Sequence, residues 1–361
     1  MFLGNKAFWI GAFGSAVFLA IFFALFVEFD LIWDVLKDAN YVYLAPSLVL
    51  YFLAVWFRTA RWKFLLRPLI GNPKRNVYSV VVVGYMANNL IPVRIGEVVR
   101  SYYLSIRESC STASAFGTVA VERATDVLAL LFIFAVAGLM GTVGVERAVG
   151  GISSDVPGGA PVLATIALLP FLIVAGVVVI ISTTSATRVL GWVAKTLFFV
   201  PGELRSKLLE IAGKLLEGLT VIDSLPGLSR AFLWSLPVWA SEAAMYYLIA
   251  LGFDLRPIFD TQTEFVAAIL VFTASANLAG VLPSTAGSWG PFDFFGAAAL
   301  VALGVGQELA AAYALTVHVA LWVPPTVVGA ILLVLDGRSL TGLMKDVDSG
   351  QAALGDEGAA V

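Results

Sequence analysis

The sequence has almost none of the residues that bind transition metals or carry redox chemistry. Among its 361 residues are one cysteine, Cys110, and one histidine, His318. A single cysteine excludes an intrachain disulfide and CxxC redox chemistry, and together the two residues are too few for a zinc site with several Cys or His ligands. We therefore expect no metal and no cofactor, although a site built from carboxylates alone would escape this argument.

Charged residues are also scarce. Only 13% of the residues are charged while 60% are hydrophobic, and the mean hydropathy is +0.92. Soluble globular domains do not have such a composition, so the chain is predicted to be an all-α polytopic membrane protein. The net charge of −3 provides no basic surface, and we expect no nucleic-acid partner.

Apolar runs long enough to cross a bilayer predict six transmembrane helices. They are Phe8–Val27, Tyr41–Phe57, Ala115–Gly141, Val162–Ser182, Ala231–Leu251 and Tyr313–Leu335. Two further apolar regions, Val77–Ile106 and Phe265–Gly306, are interrupted midway by proline and glycine. Each is predicted to be a broken helical hairpin, either re-entrant or made of two short spans.

The distribution of Lys and Arg predicts the orientation. The loops Arg58–Asn76 and Thr183–Arg230 carry six positive residues each, whereas the loops Glu28–Asn40, Thr142–Pro161 and Gly252–Glu264 carry one each. Positive loops stay in the cytoplasm, so both are predicted to be cytoplasmic, with both termini on that side of the cell membrane.

The two hairpins suggest an internal repeat. A shift of 191 residues, the separation of Pro92 and Pro283, lays Tyr41–Phe57 onto Phe232–Leu248. The predicted orientation makes one hairpin enter from the cytoplasm and the other from outside, so the halves are inverted. Paired Gly/Pro-broken segments in inverted halves are typical of a transporter's midplane binding site.

We therefore predict one membrane domain over residues 1–336, with halves at 1–141 and 162–336. Between them, residues 203–222 show helical spacing of apolar residues and are predicted to form an amphipathic linker helix on the cytoplasmic leaflet. The polar tail, residues 337–361, is predicted to be disordered. Its Asp346 and Asp348 form an Asp-x-Asp pair, which is too weak a signal for a nucleotide site without a βαβ unit.

The first hairpin supplies the candidate binding residues that carry charge. Arg94, Glu97 and Arg100 follow the break at helical spacing, after the amides of Asn88 and Asn89. The next span begins with Glu122, Arg123 and Asp126, whose carboxylates can meet the arginines. A surplus arginine between helices suits a lipid phosphate, because its fork binds phosphate oxygens bidentately. The alternatives are a fully paired cluster that only locks the hairpin, or proton carriage by Glu97 and Glu122.

The second hairpin supplies polar groups without a cation. Its candidate binding residues are Asn277, Ser284, Thr285, Ser288, Trp289 and Asp293. They could bind sugar or glycerol hydroxyls, or could simply satisfy backbone groups freed at the break. Trp289 could stack on cargo or anchor the hairpin at the interface. Glu242 and His318 look isolated within their spans, and His318 is interpreted as a packed core residue rather than a proton relay.

These motifs resemble a known family. The run NNLIPVRIGEVVR from Asn88, VERATD from Val121 and VLPSTAGSWG before Asp293 are similar to the flippase-like membrane region of lysylphosphatidylglycerol synthases. The resemblance extends from about Arg61 to Leu335. In the second motif, Ala286 and Asp293 stand where the family pattern has Pro and Glu.

The resemblance implies translocation of a charged or glycosylated lipid between leaflets. Full-length synthases continue into a soluble aminoacyl-transferase domain, whereas about 25 residues follow the last span here. The chain is thus similar to stand-alone flippase-like members, some of which accompany polyprenyl-phosphate sugar pathways.

Three hypotheses follow. The first is a lipid translocator, not an enzyme, that moves an anionic phospholipid, an aminoacylated lipid or a polyprenyl-phosphate-linked glycolipid by alternating access. The second is an intramembrane transferase that uses a polyprenyl-phosphate donor, with Glu97 or Asp293 as base. The third is a non-catalytic membrane partner of a lipid-modifying enzyme or glycosyltransferase. Association of the chain into a homo-oligomer is a further alternative.

Overall fold

The computed structural model describes residues 13, 16–22, 29–73, 76–91, 95–140, 188, 191, 195, 209, 225–280 and 286–348. This part of the chain is built from α-helices and short 3₁₀ turns. We number the helices in chain order: α1 Phe29–Asp38, α2 Leu44–Ile70, α3 Val77–Leu90, α4 Gly96–Glu108, α5 Thr112–Met140, α6 Leu225–Gly252, α7 Gln262–Ala279, α8 Pro291–Ala302, α9 Gln307–Leu335 and α10 Leu340–Asp348.

Within the described residues, four helical segments are long and apolar enough to cross a membrane. They are Tyr41–Ile70, Thr112–Met140, Gln262–Ala279 and Gln307–Leu335. The predicted span Ala231–Leu251 lies within the 28-residue helix α6. The predicted span Val162–Ser182 lies outside the described residues, as does the linker helix apart from residue 209, and only residues 13 and 16–22 of the first span are described. The chain is thus a helical, multi-pass membrane protein.

Local sequence explains where several helices begin. The side chain of Asn76 accepts a hydrogen bond from the Tyr78 N–H at the start of α3, and Thr261 caps the Glu264 N–H at the start of α7. Both satisfy backbone donors that have no partner in the first helical turn. α8 begins with Pro291, whose fixed φ suits the first helical position.

Both predicted hairpins consist of two helices with an interruption. In the first, α3 and α4 flank the break and touch closely, since a Cβ on Gly96 would lie 2.4 Å from the carbonyl oxygen of Gly84. In the second, α7 and α8 flank a turn in which Gly287 and Gly290 have φ of 73° and 97°. Only glycine adopts such values without strain.

Each hairpin packs against the other half of the chain. Helix α3 packs along α9, α7 packs along α5, and the helices that the 191-residue shift relates, α2 and α6, pack on each other. The charged residues Glu122, Arg123 and Asp126 in the middle of α5 therefore lie beside a space bounded by both hairpins. That space holds the candidate site.

Two predictions need correction. The segment Arg58–Asn76 was expected to be a loop, but helix α2 continues to Ile70, and Arg58 and Arg61 are buried. No proline or glycine lies between Phe57 and Pro68, so the helix and its buried face continue past Phe57. The tail expected to be disordered from residue 337 instead contains α10, which packs on α4 and buries Leu343; residues 349–361 lie outside the described part.

Candidate functional site

A cavity of about 520 Å³ lies where the two hairpins approach each other. Every helix from α2 to α9 contributes to its wall. The charged or titratable side chains on the wall are Tyr51, Arg58, Tyr85, Glu97, Arg123, Asp126, Glu242 and His318. Aromatic and amide side chains complete it: Asn89, Trp239, Asn277, Phe292 and Trp322. The cavity wall is therefore mixed in character, with ionic, aromatic and amide side chains close together.

Glu122 is the centre of the ion-pair network beneath this cavity. It is fully buried, and its two oxygens accept hydrogen bonds from the Arg100 guanidinium at 3.2 and 3.0 Å. Arg61 lies 3.4 Å away and Arg123 2.8 Å away. The Arg100 guanidinium also lies 4.2 Å from the centre of the Trp62 ring. Both terminal nitrogens of Arg100 thus bind Glu122, and Arg100 is not part of the cavity wall.

Asp126 forms the second carboxylate of the network, one helical turn after Glu122. It binds Arg61 in a bidentate manner, at 2.6 and 3.2 Å, and accepts a hydrogen bond from the Trp239 indole N–H at 3.2 Å. Arg61 is completely buried. A carboxylate with these contacts is fixed in position, and the guanidinium–carboxylate fork adds geometric specificity.

A third carboxylate comes from α6. Glu242 accepts a hydrogen bond from Arg58 and another from the Tyr246 hydroxyl at 2.8 Å. The Asn277 amide donates to that hydroxyl at 3.2 Å, so the second hairpin joins the network. Arg58 also lies 4.7 Å from the centre of the Trp239 ring. The prediction that Glu242 is isolated was wrong.

Arg123 differs from the other three arginines in its exposure. Its side chain is 37% exposed, compared with 8% or less for Arg58, Arg61 and Arg100. It contacts both Glu122, at 2.8 Å, and Asp126, at 3.2 Å. Each of those carboxylates also holds another arginine. Arg123 can therefore turn toward a ligand in the cavity without leaving a buried carboxylate uncompensated.

On the opposite side, His318 and Asp293 form a buried pair. His318 Nδ1 lies 2.8 Å from Asp293 Oδ1, and His318 Nε2 lies 2.8 Å from the carbonyl oxygen of Gly287. Asp293 Oδ2 accepts a hydrogen bond from the Gly290 N–H at 3.0 Å, and the Trp289 ring stacks on the imidazole at 4.0 Å. The prediction that His318 is isolated was also wrong.

Helix α9 bonds to the first hairpin one turn after His318. The Trp322 indole donates to the Asn89 carbonyl at 3.1 Å, and the Asn89 amide donates to the Trp322 carbonyl at 3.0 Å and to Thr326 at 3.0 Å. The same helix face therefore contacts the end of α3 and the turn before α8.

The structure distributes the predicted site residues in three groups. Those on the cavity wall are Asn89, Glu97, Arg123, Asp126, Asn277 and Ser288. Those that support the wall from behind are Asn88, Arg100, Glu122, Trp289 and Asp293. Arg94, Ser284 and Thr285 lie outside the described residues. The contacts of Arg100 match the alternative in which it locks the hairpin to α5.

Sequence reasoning missed Arg58, Arg61 and the pairing of Glu242 and His318. The first two were assigned to a loop, yet they follow Tyr51 and Ala54 at helical spacing on the buried face of α2. Continuing the 3.6-residue period beyond Phe57 would have placed them inside. A carboxylate in an apolar span also requires a partner. Glu242 could therefore have been expected to pair with one of these arginines.

Comparison with known proteins gives a consistent family match. A family model described as the lysylphosphatidylglycerol synthase TM region matches residues 9–329. The chain is 26% identical over 323 residues to Glycosyltransferase AglD of Haloferax volcanii, covering 85% of this chain and 51% of that protein. It is 26% identical over 274 residues to a UPF0104 membrane protein of Methanothermobacter thermautotrophicus, covering 72% and 75%.

A third relative matches over a shorter stretch. A UPF0104 membrane protein of Methanocaldococcus jannaschii is 34% identical over 110 residues, which is 30% of this chain and 33% of that protein. The chain thus spans about half the length of the glycosyltransferase that it matches and about a third of this protein. No solved structure matches the chain.

Proposed function

The chain belongs to the lysylphosphatidylglycerol synthase transmembrane family, and on that premise we propose that it moves a phosphate-bearing lipid between leaflets through the cavity between its hairpins. The observation that carries the proposal is the position of Arg123. It is a partly exposed arginine on the cavity wall whose two carboxylate partners each keep a second arginine.

Arg123 and Arg58 bind the phosphate. Both line the cavity, and a guanidinium fork matches two phosphate oxygens and stays charged at any working pH. When the phosphate takes one edge of Arg123, Glu122 remains bound to Arg100 and Asp126 remains bound to Arg61. The network therefore exchanges a partner instead of breaking, which avoids the large cost of an unpaired buried charge.

The remainder of the wall fits the rest of a head group. Trp239 and Trp322 provide flat apolar faces, and Asn89 and Asn277 provide amides, which suit a sugar or glycerol unit. Glu97, which makes no ion pair with another described residue, suits an amine on an aminoacylated lipid. These features keep the predicted cargo within phosphate-bearing lipids, whether anionic, aminoacylated or glycosylated.

The two-fold pattern of helix contacts supports alternating access. Each hairpin packs on the long helix of the other half, and α2 packs on α6, as expected if the halves are inverted repeats around a midplane site. The proposed movement rocks one hairpin with its partner helix against the other pair. A six-span topology with cytoplasmic termini is part of this proposal, although two of the six positive charges that predicted the first cytoplasmic loop are buried.

A leaflet assay tests the proposal. The purified chain is reconstituted into vesicles with fluorescent phosphate-bearing lipids, and the fraction of label accessible from outside is followed. We expect wild-type protein to move these lipids and Arg123→Gln to slow the movement at least tenfold. Arg338→Gln is the matched control, because Arg338 is 40% exposed, lies outside the cavity and, among the described residues, pairs with Asp336 at 3.7 Å. Movement no faster than in empty vesicles contradicts the proposal.

A second candidate function is an intramembrane glycosyl transfer, favoured by the name of the relative Glycosyltransferase AglD. Of the two bases predicted from the sequence, Asp293 has both oxygens engaged, whereas Glu97 lies on the cavity wall. A glycosylated product formed by the purified chain from a polyprenyl-phosphate sugar, lost in Glu97→Gln and detected by mass spectrometry, would favour this function. Lipid movement without product, or stable co-purification with a separate enzyme, would exclude it.

A further inference from the structure

The pair formed by His318 and Asp293 has a definite proton count. The carbonyl oxygen of Gly287 can only accept, so His318 Nε2, 2.8 Å away, carries a hydrogen. The contact between Nδ1 and Asp293 Oδ1 at 2.8 Å needs one hydrogen between two atoms that otherwise both accept. The pair therefore holds two protons, as imidazolium with carboxylate or as imidazole with carboxylic acid. Its net charge is zero in either form.

Loss of one proton cannot leave this arrangement intact. The remaining species is a carboxylate and a neutral imidazole with a single N–H. That hydrogen can satisfy Asp293 or the Gly287 carbonyl but not both, and a net negative charge stays in a site where Asp293 is 0% and His318 3% exposed. An unsatisfied buried acceptor is costly, so loss of the proton weakens the bond between the pair and the Gly287 turn.

The affected bond holds the break of the second hairpin to α9. Gly287 belongs to the 3₁₀ turn Ala286–Ser288 before α8 and has φ of 73°. A Cβ on Gly287 would lie 2.7 Å from the Trp322 ring, and Trp289 stacks on the imidazole. The contact between Trp322 and Asn89 on the other hairpin contains no titratable group. Removal of the proton thus weakens the attachment of the second hairpin to α9 and leaves the bonds of the first hairpin unchanged.

The geometry leads us to infer that Asp293 and His318 form a proton-binding site that couples lipid movement to a proton gradient. This inference rests on the proposed translocation. The shared proton enters and leaves through the cavity, since His318 lies on its wall. When the pair holds both protons, both hairpins are bonded to α9 next to their breaks. When one proton has left, the second hairpin can open. A hairpin that opens only when the proton has left couples the two movements.

Other titratable groups face the pair across the cavity. They are Tyr51 and Arg58 on α2, Tyr85 on α3, Glu97 on α4, Arg123 and Asp126 on α5, and Glu242 on α6. Arg58, Arg123, Asp126 and Glu242 are bound in the ion-pair network. The charged side chains of α1, which also packs on α9, are exposed. Among the described residues, Asp293 is the titratable group in direct contact with His318.

Two measurements on wild-type protein test the coupling. In vesicles with a pH difference of one unit across the membrane, exchange of one proton per lipid can make the lipid up to about tenfold more abundant in one leaflet than in the other. Reversing the pH difference must reverse which leaflet is enriched. In nanodiscs, hydrogen exchange of the amides over residues 286–294, corrected for the intrinsic pH effect, must rise about tenfold as the pH rises. His318→Gln and Asp293→Asn are expected to lose both the leaflet bias set by the pH difference and the pH dependence of exchange. Thr316→Val is the control, because within the described part of the chain the Thr316 hydroxyl bonds to the Ala312 carbonyl of its own helix.

The outcomes separate the coupling from the translocation. Wild-type protein that moves lipid to equal leaflet ratios under either pH difference overturns the coupling and leaves the translocation standing. If no lipid moves under any condition, the proposed function fails and, with it, the coupling. In that case the hydrogen-exchange measurement alone tests whether Asp293 and His318 bind a releasable proton. Exchange rates over residues 286–294 that do not change with pH, after correction for the intrinsic effect, would show that they do not.

Discussion

Replacement of Arg123 by glutamine should separate binding from folding. In the structure Arg123 shares Glu122 with Arg61 and Arg100 and shares Asp126 with Arg61 and Arg58. Removing it leaves no buried carboxylate without a partner. Because the side chain is 37% exposed, we expect a loss of stability of about 0–1 kcal/mol, the range of exposed ion pairs.

The effect on binding should be larger. A hydrogen bond to a charged group contributes about 1.5–3 kcal/mol, which corresponds to a roughly ten- to 150-fold weaker Kd. The assay is binding of a short-chain phosphate-bearing lipid to purified protein in nanodiscs, with the melting temperature measured on the same samples. The matched variant is Arg61→Gln, which removes a fully buried guanidinium and leaves Asp126 short of its bidentate partner. Breaking such a pair costs about 3–5 kcal/mol. Unchanged Kd in Arg123→Gln, or equal destabilisation by both variants, would refute this reasoning.

Three further outcomes are expected. Arg58→Met and Glu242→Leu should each lower the free energy of unfolding by about 3–5 kcal/mol. The double variant should lose less than the sum, because neither partner is then left as an unpaired buried charge. Additive losses in chemical denaturation would argue against the pair. Gly96→Ala should prevent the close contact of α3 and α4, because the new Cβ would lie 2.4 Å from the Gly84 carbonyl oxygen. Gly138→Ala, whose Cβ would have nothing within 4 Å, should stabilise the protein by about 0.5–1 kcal/mol. Similar melting temperatures for the two variants would contradict the hairpin geometry. Burial, with a smaller contribution from Glu108, raises the pKa of the Cys110 thiol to about 11, so alkylation of this sole cysteine should be slow at pH 7 and accelerate up to pH 11; a rate that levels off near pH 9 would show an ordinary thiol.

The broken hairpins were predictable from composition because proline and glycine interrupt apolar runs for local reasons. Pro291 at the first turn of α8 and the positive φ of Gly287 and Gly290 are properties of the residues themselves. The segment over 340–348 was not predictable in this way. Its helix depends on burying Leu343 against α4, and that contact is tertiary.

The candidate site was predictable only on the α4 and α5 side. The spacing of Glu122 and Asp126 placed two carboxylates on one face of α5, and the structure brings Arg100 to Glu122 as that spacing suggested. The partners from α2 and α6 join through contacts across 65 to 184 positions of the chain, which no local pattern specifies. The bond from His318 to Asp293 depends similarly on how α9 packs against α8.

The most direct test of the central claim is a cryo-EM map of the protein in nanodiscs with a phosphate-bearing lipid. The account predicts a head group in the cavity between the hairpins, with its phosphate within hydrogen-bonding distance of Arg123 and Arg58 and with Glu122 still bound to Arg100. A head group bound elsewhere on the protein, or a cavity that stays empty in protein active for lipid movement, would contradict it.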